Sequence, residues 1–158
     1  MMTAELIVMD VESSGSDKDA GSFPISIGIA GPADTSWSWY ICPLEDWTHW
    51  DSAAEDDHGL SRDLLISEGQ DPYILSRILN RLFGGKVLLV SSDSERYWVY
   101  HLFNAVQVKL TFEVLTLAQR YDGETVQNMY DEILETQFPR VAKEDVKILY
   151  KIIESLAP

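Results

Sequence analysis

Residues 6–31, LIVMDVESSGSDKDAGSFPISIGIAG, constrain the fold more than any other part of this sequence. An apolar run ends in D-V-E, a polar loop follows, and the alternating segment P-I-S-I-G-I comes after the loop. Short β-branched runs bounded by polar residues predict two strands joined by a loop. Alternate side chains of a strand point to the same face, so Asp10 and Glu12 are expected to lie side by side. Charges beside a core cost free energy unless they are paired or bind a metal, so this pair predicts a seat for Mg²⁺ or Mn²⁺.

This stretch resembles the first motif of the DEDD 3′–5′ exonucleases, in the group of the proofreading subunits and ribonuclease T. The resemblance rests on D-V-E-S-S-G and on the P-I-S-I-G-I strand behind it. A second stretch, residues 47–61, has the pattern W-x-x-W-D…A-x-x-x-H-G-L-S, which is similar to the segment after the third strand in the same group. The resemblance implies a ribonuclease H-like fold and a two-metal nuclease. The alternative interpretation of Asp10 and Glu12 is an acidic strand end that faces solvent.

The second motif of the family places an Asp after the fourth strand, near the start of a helix. The corresponding segment here is S-S-D-S-E-R-Y-W. The position at the strand end favours Asp93, whereas the spacing back from Trp98 favours Glu95. We prefer Asp93, because a strand end is fixed in space and a shortened loop would bring it close to Asp10. Capping of the next helix by Asp93 or Ser92 is the alternative.

The third motif of the His-bearing branch is H-x4-D on the last helix. Asp145 matches its Asp, while Arg140 stands where the His should be. The resemblance implies that Asp10, Glu12 and Asp145 hold one ion, and that a second ion, shared through Asp10, is assisted by Asp93. Together the two ions, Mg²⁺ or Mn²⁺, would hydrolyse the 3′-terminal phosphodiester of a single strand.

The general base is missing from this pattern, because a guanidinium stays protonated at any useful pH. Three solutions remain open. His58 or His101 could come in from elsewhere in the chain. Metal-bound water could act alone, with Arg140 stabilising charge on the phosphate. Finally, the chain could have lost the ability to cleave nucleic acid. It would then act as a binding or interaction module through the groove that holds the strand in the exonucleases.

The rest of the sequence predicts a single exonuclease-like α/β domain over residues 1–158. We expect a five-stranded mixed sheet in order 3-2-1-4-5, flanked by helices. Hydrophobic periodicity and turn signals place the remaining elements. The strands are expected at 35–41, 86–91 and 108–112, and the helices after Ser61 and at 72–83, 94–104, 113–121, 124–138 and 142–156.

The formal net charge of −14 argues against a protein that holds long stretches of phosphate with Lys and Arg. Divalent ions reverse the local electrostatic field. The net charge is therefore consistent with an acidic nuclease that holds only a few nucleotides at a single-stranded 3′ end. Trp47 and Trp50 are candidates for stacking on bases. Trp37 and Trp39 share one strand face, where we expect them to be half-buried.

The composition also bears on the setting of the protein. A length of 158 residues, 46% of them hydrophobic, is enough for one domain with a core. Cys42 is the single cysteine, which predicts a reducing, cytoplasmic environment. No apolar run reaches the length of a membrane span. The ribonuclease T relatives suggest a homodimer, by analogy.

Overall fold

The computed structural model describes residues 5–16 and 21–158, so part of the predicted loop after the first strand, residues 17–20, lies outside the described residues. The described residues form a five-stranded sheet with helices packed against it. The strands are β1 (Val8–Ser13), β2 (Pro24–Ala30), β3 (Ser36–Tyr40), β4 (Val87–Val90) and β5 (Glu113–Thr116). The helices are α1 (Ser52–His58), α2 (Arg62–Glu68), α3 (Pro72–Phe83), α4 (Asp93–Ala105), α5 (Leu117–Arg120), α6 (Gly123–Glu135) and α7 (Ala142–Leu156).

The strand order β3-β2-β1-β4-β5 confirms the predicted topology. β1, β2 and β3 form an antiparallel meander, whereas β4 runs parallel to β1 and β5 runs parallel to β4. Parallel neighbours need a crossover, and α4 supplies it between β4 and β5. The order places β1, with its two acids, in the centre of the sheet.

Hydrophobic side chains fill both faces of the sheet. Met9 and Val11 of β1 belong to the cluster that includes residues of α3 and α4, while Val8 belongs to the cluster that includes residues of α6 and α7. Because side chains alternate along a strand, Asp10 and Glu12 continue the row of Val8. Both acids therefore face the α7 side, as the sequence predicted for a shared face.

The fifth strand was predicted in the wrong place. It is Glu113–Thr116, and residues 108–112 form no regular element. Asn80 of α3 explains this, because its amide donates to Lys109 O at 2.7 Å and accepts from Thr111 N at 3.0 Å. These backbone groups are thereby held by α3 as a loop, and the strand begins only after them.

The predicted helix over 113–121 was wrong in the same region, since only Leu117–Arg120 is helical. Thr116 ends β5 and caps this short helix in a capping box with Gln119. α6 ends at Glu135, three residues before the predicted end, while α3 and α7 have the predicted bounds. Within the described residues, no helix is long and apolar enough to span a bilayer.

Candidate active site

Three carboxylates from two distant parts of the chain meet beside the centre of the sheet. Asp10 and Glu12 come from β1, and Asp145 comes from the first turn of α7. One oxygen from each of the three lies within 4.8 Å of the other two. Arg140 lines the same pocket as these acids, so the structure brings together four of the five site residues that the sequence singled out.

Gly28 allows α7 to come this close. It pairs with Asp10 across β1 and β2, and a Cβ at this position would lie 2.3 Å from Ala142 O. No side chain other than hydrogen fits between β2 and the start of α7. The glycine of the I-x-I-G-I strand therefore sets the depth at which Asp145 reaches Asp10.

Replacing Gly28 by alanine should push α7 off the sheet. We expect the free energy of unfolding to fall by about 1–3 kcal/mol, the usual range for overpacking, and Mn²⁺ affinity to fall by about tenfold or more as Asp145 moves. Urea unfolding and calorimetric titration with Mn²⁺ measure the two effects. Gly123→Ala is the matched control, because a Cβ at Gly123 meets open space. Equal behaviour of the two variants would contradict this account of Gly28.

Asp145 is held by the loop that precedes its own helix. Its Oδ1 accepts a hydrogen bond from Arg140 N at 3.0 Å, and its carboxylate also accepts from Val141 N. Arg140 adopts a φ of 66°, in the left-handed region, which turns the chain into α7. Burial raises the pKa of Asp145, and these amide bonds and the Arg140 guanidinium partly oppose the rise.

Glu95, and not Asp93, is the carboxylate of α4 that approaches the three acids. Its Oε1 accepts from Val11 N at 3.1 Å, and its Oε2 accepts from Ser91 N at 3.1 Å. β1 and β4 pair directly at one position, Val8 with Leu89. Beyond that pair, the Glu95 carboxylate connects the two strands by accepting from an amide of each. It also acts on the Asp10 carboxyl through charge and a side-chain hydrogen bond.

Asp93 lies outside this cluster, contrary to our preference. It begins α4 with an exposed side chain, while Ser92 caps the helix by accepting from Glu95 N. In the first turn of α4, Asp93 points towards solvent, whereas Glu95, two positions later, points towards β1. The spacing back from Trp98 was the sequence signal that indicated Glu95.

Burial and the neighbouring acids together raise the pKa values of Asp10 and Glu12. Burial raises the pKa of Asp10 well above its ordinary value, and the charges of Glu95, Glu12 and Asp145 raise it further. Burial also raises the pKa of Glu12 to about 7, with added repulsion from Asp145 and Glu95 and an opposing effect of Arg140. A bound cation would relieve this repulsion.

The donor set fits a hard divalent ion. All the ligand atoms are carboxylate oxygens, which Mg²⁺ and Mn²⁺ prefer over softer metals. Asp10 Oδ2 is buried and has no hydrogen-bond partner among the described residues, and a buried carboxylate oxygen is costly unless something binds it. Asp10, Glu12 and Asp145 could therefore hold such an ion.

The raised pKa values predict that the metal-free protein loses stability as pH rises. The unfolded chain releases the Glu12 proton near pH 4.5, whereas the folded state keeps it to about pH 7. Between these values the folded state binds more protons, so the free energy of unfolding falls as pH increases. Glu12 alone should account for up to about 3 kcal/mol at pH 8, and addition of Mn²⁺ should restore the loss.

Urea unfolding with a chelator, from pH 4.5 to 8, measures this effect. Glu12→Gln is the control, since the amide does not titrate. The difference between the wild-type and Glu12→Gln profiles should grow from pH 4.5 to 7 and then level off. Parallel profiles would contradict the pKa assigned to Glu12.

An open cleft of about 250 Å³ adjoins the acids on the side of α1 and α4. It is lined by Glu12 and Glu95, by Arg140, and by the rings of His58 and Trp98, among others. Arg140 is exposed, and its positive charge lowers the pKa values of Glu12 and Asp145. From the described part of the chain, the cleft thus combines an acidic centre, the Arg140 cation and the rings of His58 and Trp98.

His58 lines this cleft, and neither of its ring nitrogens is placed to act as a base. Its Nδ1 accepts from Leu60 N at 3.0 Å, so the neutral ring carries its proton on Nε2. Burial lowers the pKa of His58, which keeps the ring neutral. Nε2 has no partner within the described part of the chain. His101 instead stacks against the rings of Trp47 and Tyr97.

The two tryptophans proposed for base stacking have structural contacts. Trp47 is 7% exposed and stacks on Phe23 with a centroid distance of 5.2 Å. The ring face of Trp47 is therefore taken up by the core. Trp50 is half-buried, and its Nε1 donates to Glu55 at 2.8 Å. Trp37 and Trp39 are half-buried against the core, as predicted.

Comparison with solved structures identifies the fold. E. coli exonuclease I in complex with a dA13 oligonucleotide superposes with a TM-score of 0.71 at 11% identity, over 97% of this chain and 41% of that chain. Product-bound exonuclease I superposes with a TM-score of 0.71 at 11% identity, over 98% of this chain and 43% of that chain. Exonuclease I from Methylocaldum szegediense superposes with a TM-score of 0.67 at 12% identity, over 95% of this chain and 39% of that chain.

The fold is that of the part of exonuclease I that these superpositions cover. No protein-family model matches the chain, and no curated protein matches it. The chain spans about two fifths of the length of these exonucleases, which are 39–43% covered. At 11–12% identity the likeness establishes the architecture, and the activity is argued from the site.

Proposed function

We propose that the chain is a 3′–5′ exonuclease that hydrolyses the terminal phosphodiester of single-stranded DNA or RNA with two Mg²⁺ or Mn²⁺ ions. The single observation that carries the proposal is the meeting of Asp10, Glu12 and Asp145, with a buried Asp10 oxygen left without a partner, beside an open cleft. Phosphoryl transfer needs this combination of paired acids and room for a nucleotide.

The acids supply the ligands for the ions. Asp10, Glu12 and Asp145 would bind them directly, and Glu95 takes the fourth carboxylate position that we expected Asp93 to fill. Bound divalent ions lower the pKa of water and stabilise negative charge on a phosphate. Glu95 also accepts from strand amides, so it holds β1 and β4 at the separation that the site requires.

Arg140 is the residue that replaces the family histidine. Its guanidinium lies where it lowers the pKa values of Glu12 and Asp145, so it is close enough to attract a phosphate held between them. It stabilises charge and cannot accept a proton. General-base catalysis contributes about 10²–10⁴ in rate, so we expect a slow nuclease.

The cleft gives the terminal nucleoside a place. Trp98 and His58 line it, so a sugar or base would pack against their rings. Ser13 and Gly15 at the end of β1 border the same cleft. A free 3′ end enters such a cleft, whereas a strand without ends does not.

The proposal is tested with a linear single strand labelled at its 5′ end and a circular single strand of the same sequence. With Mn²⁺, the linear strand should shorten stepwise from its 3′ end while the circle stays intact, and a chelator should stop the reaction. Cleavage of the circle would indicate an endonuclease. If the linear strand is not shortened although the protein binds Mn²⁺, the proposal that the chain is an enzyme is contradicted.

The second candidate is a catalytically impaired exonuclease-like protein that binds nucleic acid or a partner through the same cleft. Arg140 in the base position and the net charge of −14 favour it. It predicts strand binding with Mn²⁺ and no shortening under any condition. The homodimer and the cytoplasmic location stay predictions under either function.

A further inference from the structure

A second groove, of about 380 Å³, leads away from the acids across the sheet on the side of α7. We call it the α7 groove and define it by Ser26 and Tyr40 on the sheet, Gln70 opposite, and residues 140–143 at the start of α7. Register explains its floor, because Glu12 pairs with Ser26 and Ser26 pairs with Tyr40. Directly paired residues share a face, so polar side chains form a row from the metal ligands to the edge strand.

Ser26 is an unexplained polar group in this row. It is 3% exposed, and its hydroxyl has no hydrogen-bond partner among the described residues. Its neighbours on the opposite face of β2, Ile25 and Ile27, are buried core residues. A buried hydroxyl without a bond costs free energy that a small apolar side chain would avoid. A ligand oxygen in the groove would supply the missing partner.

The start of α7 forms one wall of the groove. The N-cap, Val141, makes no side-chain hydrogen bond to the first turn, so the amides of Ala142 and Lys143 lack the usual cap. Lys143 is exposed and lines the same wall, next to Arg140. A helix N-terminus and two cations attract an anion. Glu68, the acid on the opposite wall, is exposed and free to face water.

The two sites are continuous, because Glu12 and Arg140 line both the α7 groove and the cleft for the terminal nucleoside. A strand whose last nucleoside occupies the cleft and whose terminal phosphate lies at the acids would have its next phosphate near Ser26. Tyr40 is 37% exposed at the far end of the groove, where a base could stack on it.

We propose that the α7 groove binds the phosphate on the 5′ side of the scissile bond, through the Ser26 hydroxyl, the start of α7 and Lys143. The inference rests on the proposed function, since it needs a strand at the acids. It explains why a chain of net charge −14 can hold a strand: the contact is a short, local set of donors rather than a basic surface.

The test is calorimetric binding of dTMP and of the trinucleotide p(dT)3, with Ca²⁺ as the ion and the strand recovered intact. Lys143→Gln should weaken p(dT)3 binding by about threefold to tenfold and reduce the slope of log K against log salt by about 0.7, the value for one phosphate contact on a single strand. Binding of dTMP should not change. Lys147→Gln, one turn along the helix, removes the same charge and should leave both ligands unaffected.

Ser26→Ala separates a ligand contact from a structural role. It should weaken p(dT)3 binding by about threefold to tenfold, with dTMP binding unchanged, while the melting temperature stays equal or rises because the unsatisfied hydroxyl is gone. A serine with a merely structural role would lower the melting temperature and affect both ligands equally.

The outcomes separate the two proposals. If the wild type binds neither ligand, the proposed function fails and this inference falls with it. If the wild type binds and shortens strands but Lys143→Gln behaves like Lys147→Gln, only the groove assignment is overturned. The same holds if p(dT)3 binds no more tightly than dTMP.

Discussion

Replacing Asp10 by asparagine is expected to abolish strand shortening, by about 10³-fold or more, and to remove specific Mn²⁺ binding. Asp10 lies at the centre of the acids, and its unpartnered Oδ2 is the buried oxygen that an ion would satisfy. The amide is nearly isosteric and carries no charge, so it keeps the shape and loses the ligand. Calorimetry with Mn²⁺ and degradation of a 5′-labelled strand measure the two losses.

The same variant should be more stable than the wild type when no metal is present. Burial and the charges of Glu95, Glu12 and Asp145 make an ionised Asp10 unfavourable at neutral pH, and asparagine removes that repulsion. Urea unfolding at pH 7.5 in a chelator is expected to show the gain. Loss of activity together with higher stability would exclude misfolding as the cause.

Asp93→Asn is the matched control, because it makes the same chemical change at an exposed acid on α4. We expect full Mn²⁺ binding and activity within about twofold of the wild type, as for most surface substitutions. An equal loss in Asp93→Asn would show that Asp93 reaches the ions after all. It would also overturn the position given to Glu95.

Much of the fold could be predicted because local patterns and tertiary packing agree. The stripes of α3 and α7 each have a clear period and clear ends, so the bounds of these helices followed from sequence. The fifth strand could not be placed, because the side chain of Asn80 binds the backbone of Lys109 and Thr111 from a helix distant in sequence. Periodicity contains no information about such a contact.

The site residues could be predicted only where their spacing along the chain fixes the direction of their side chains. Asp10 and Glu12 share a face through the period of a strand, whatever the rest of the chain does. The choice between Asp93 and Glu95 depends on the first turn of α4 relative to β1, which is a tertiary property. Ser26 gave no signal at all, since serine in an alternating strand is ordinary.

Replacing Arg140 by histidine is expected to raise kcat by about 10²-fold, because it supplies the base that the wild type lacks. The backbone of Arg140 would keep its bond to Asp145, and histidine is among the residues that tolerate a φ of 66°. KM for the strand should rise as well, since a guanidinium that attracts the phosphate is lost. Steady-state degradation of a 5′-labelled strand with Mn²⁺ measures both constants.

The pH profile decides whether the gain comes from a base. A working histidine should add an ascending limb to log kcat at or above pH 6.5, its ordinary pKa, because the surrounding carboxylates favour the protonated ring. Arg140→Gln removes the cation without adding a base, so it should show the higher KM, no gain in kcat and no new limb. If both variants gain equally, the guanidinium of Arg140 inhibits by competing with the ions for Glu12 and Asp145. In that case relief of this competition, and not a missing base, limits the wild type.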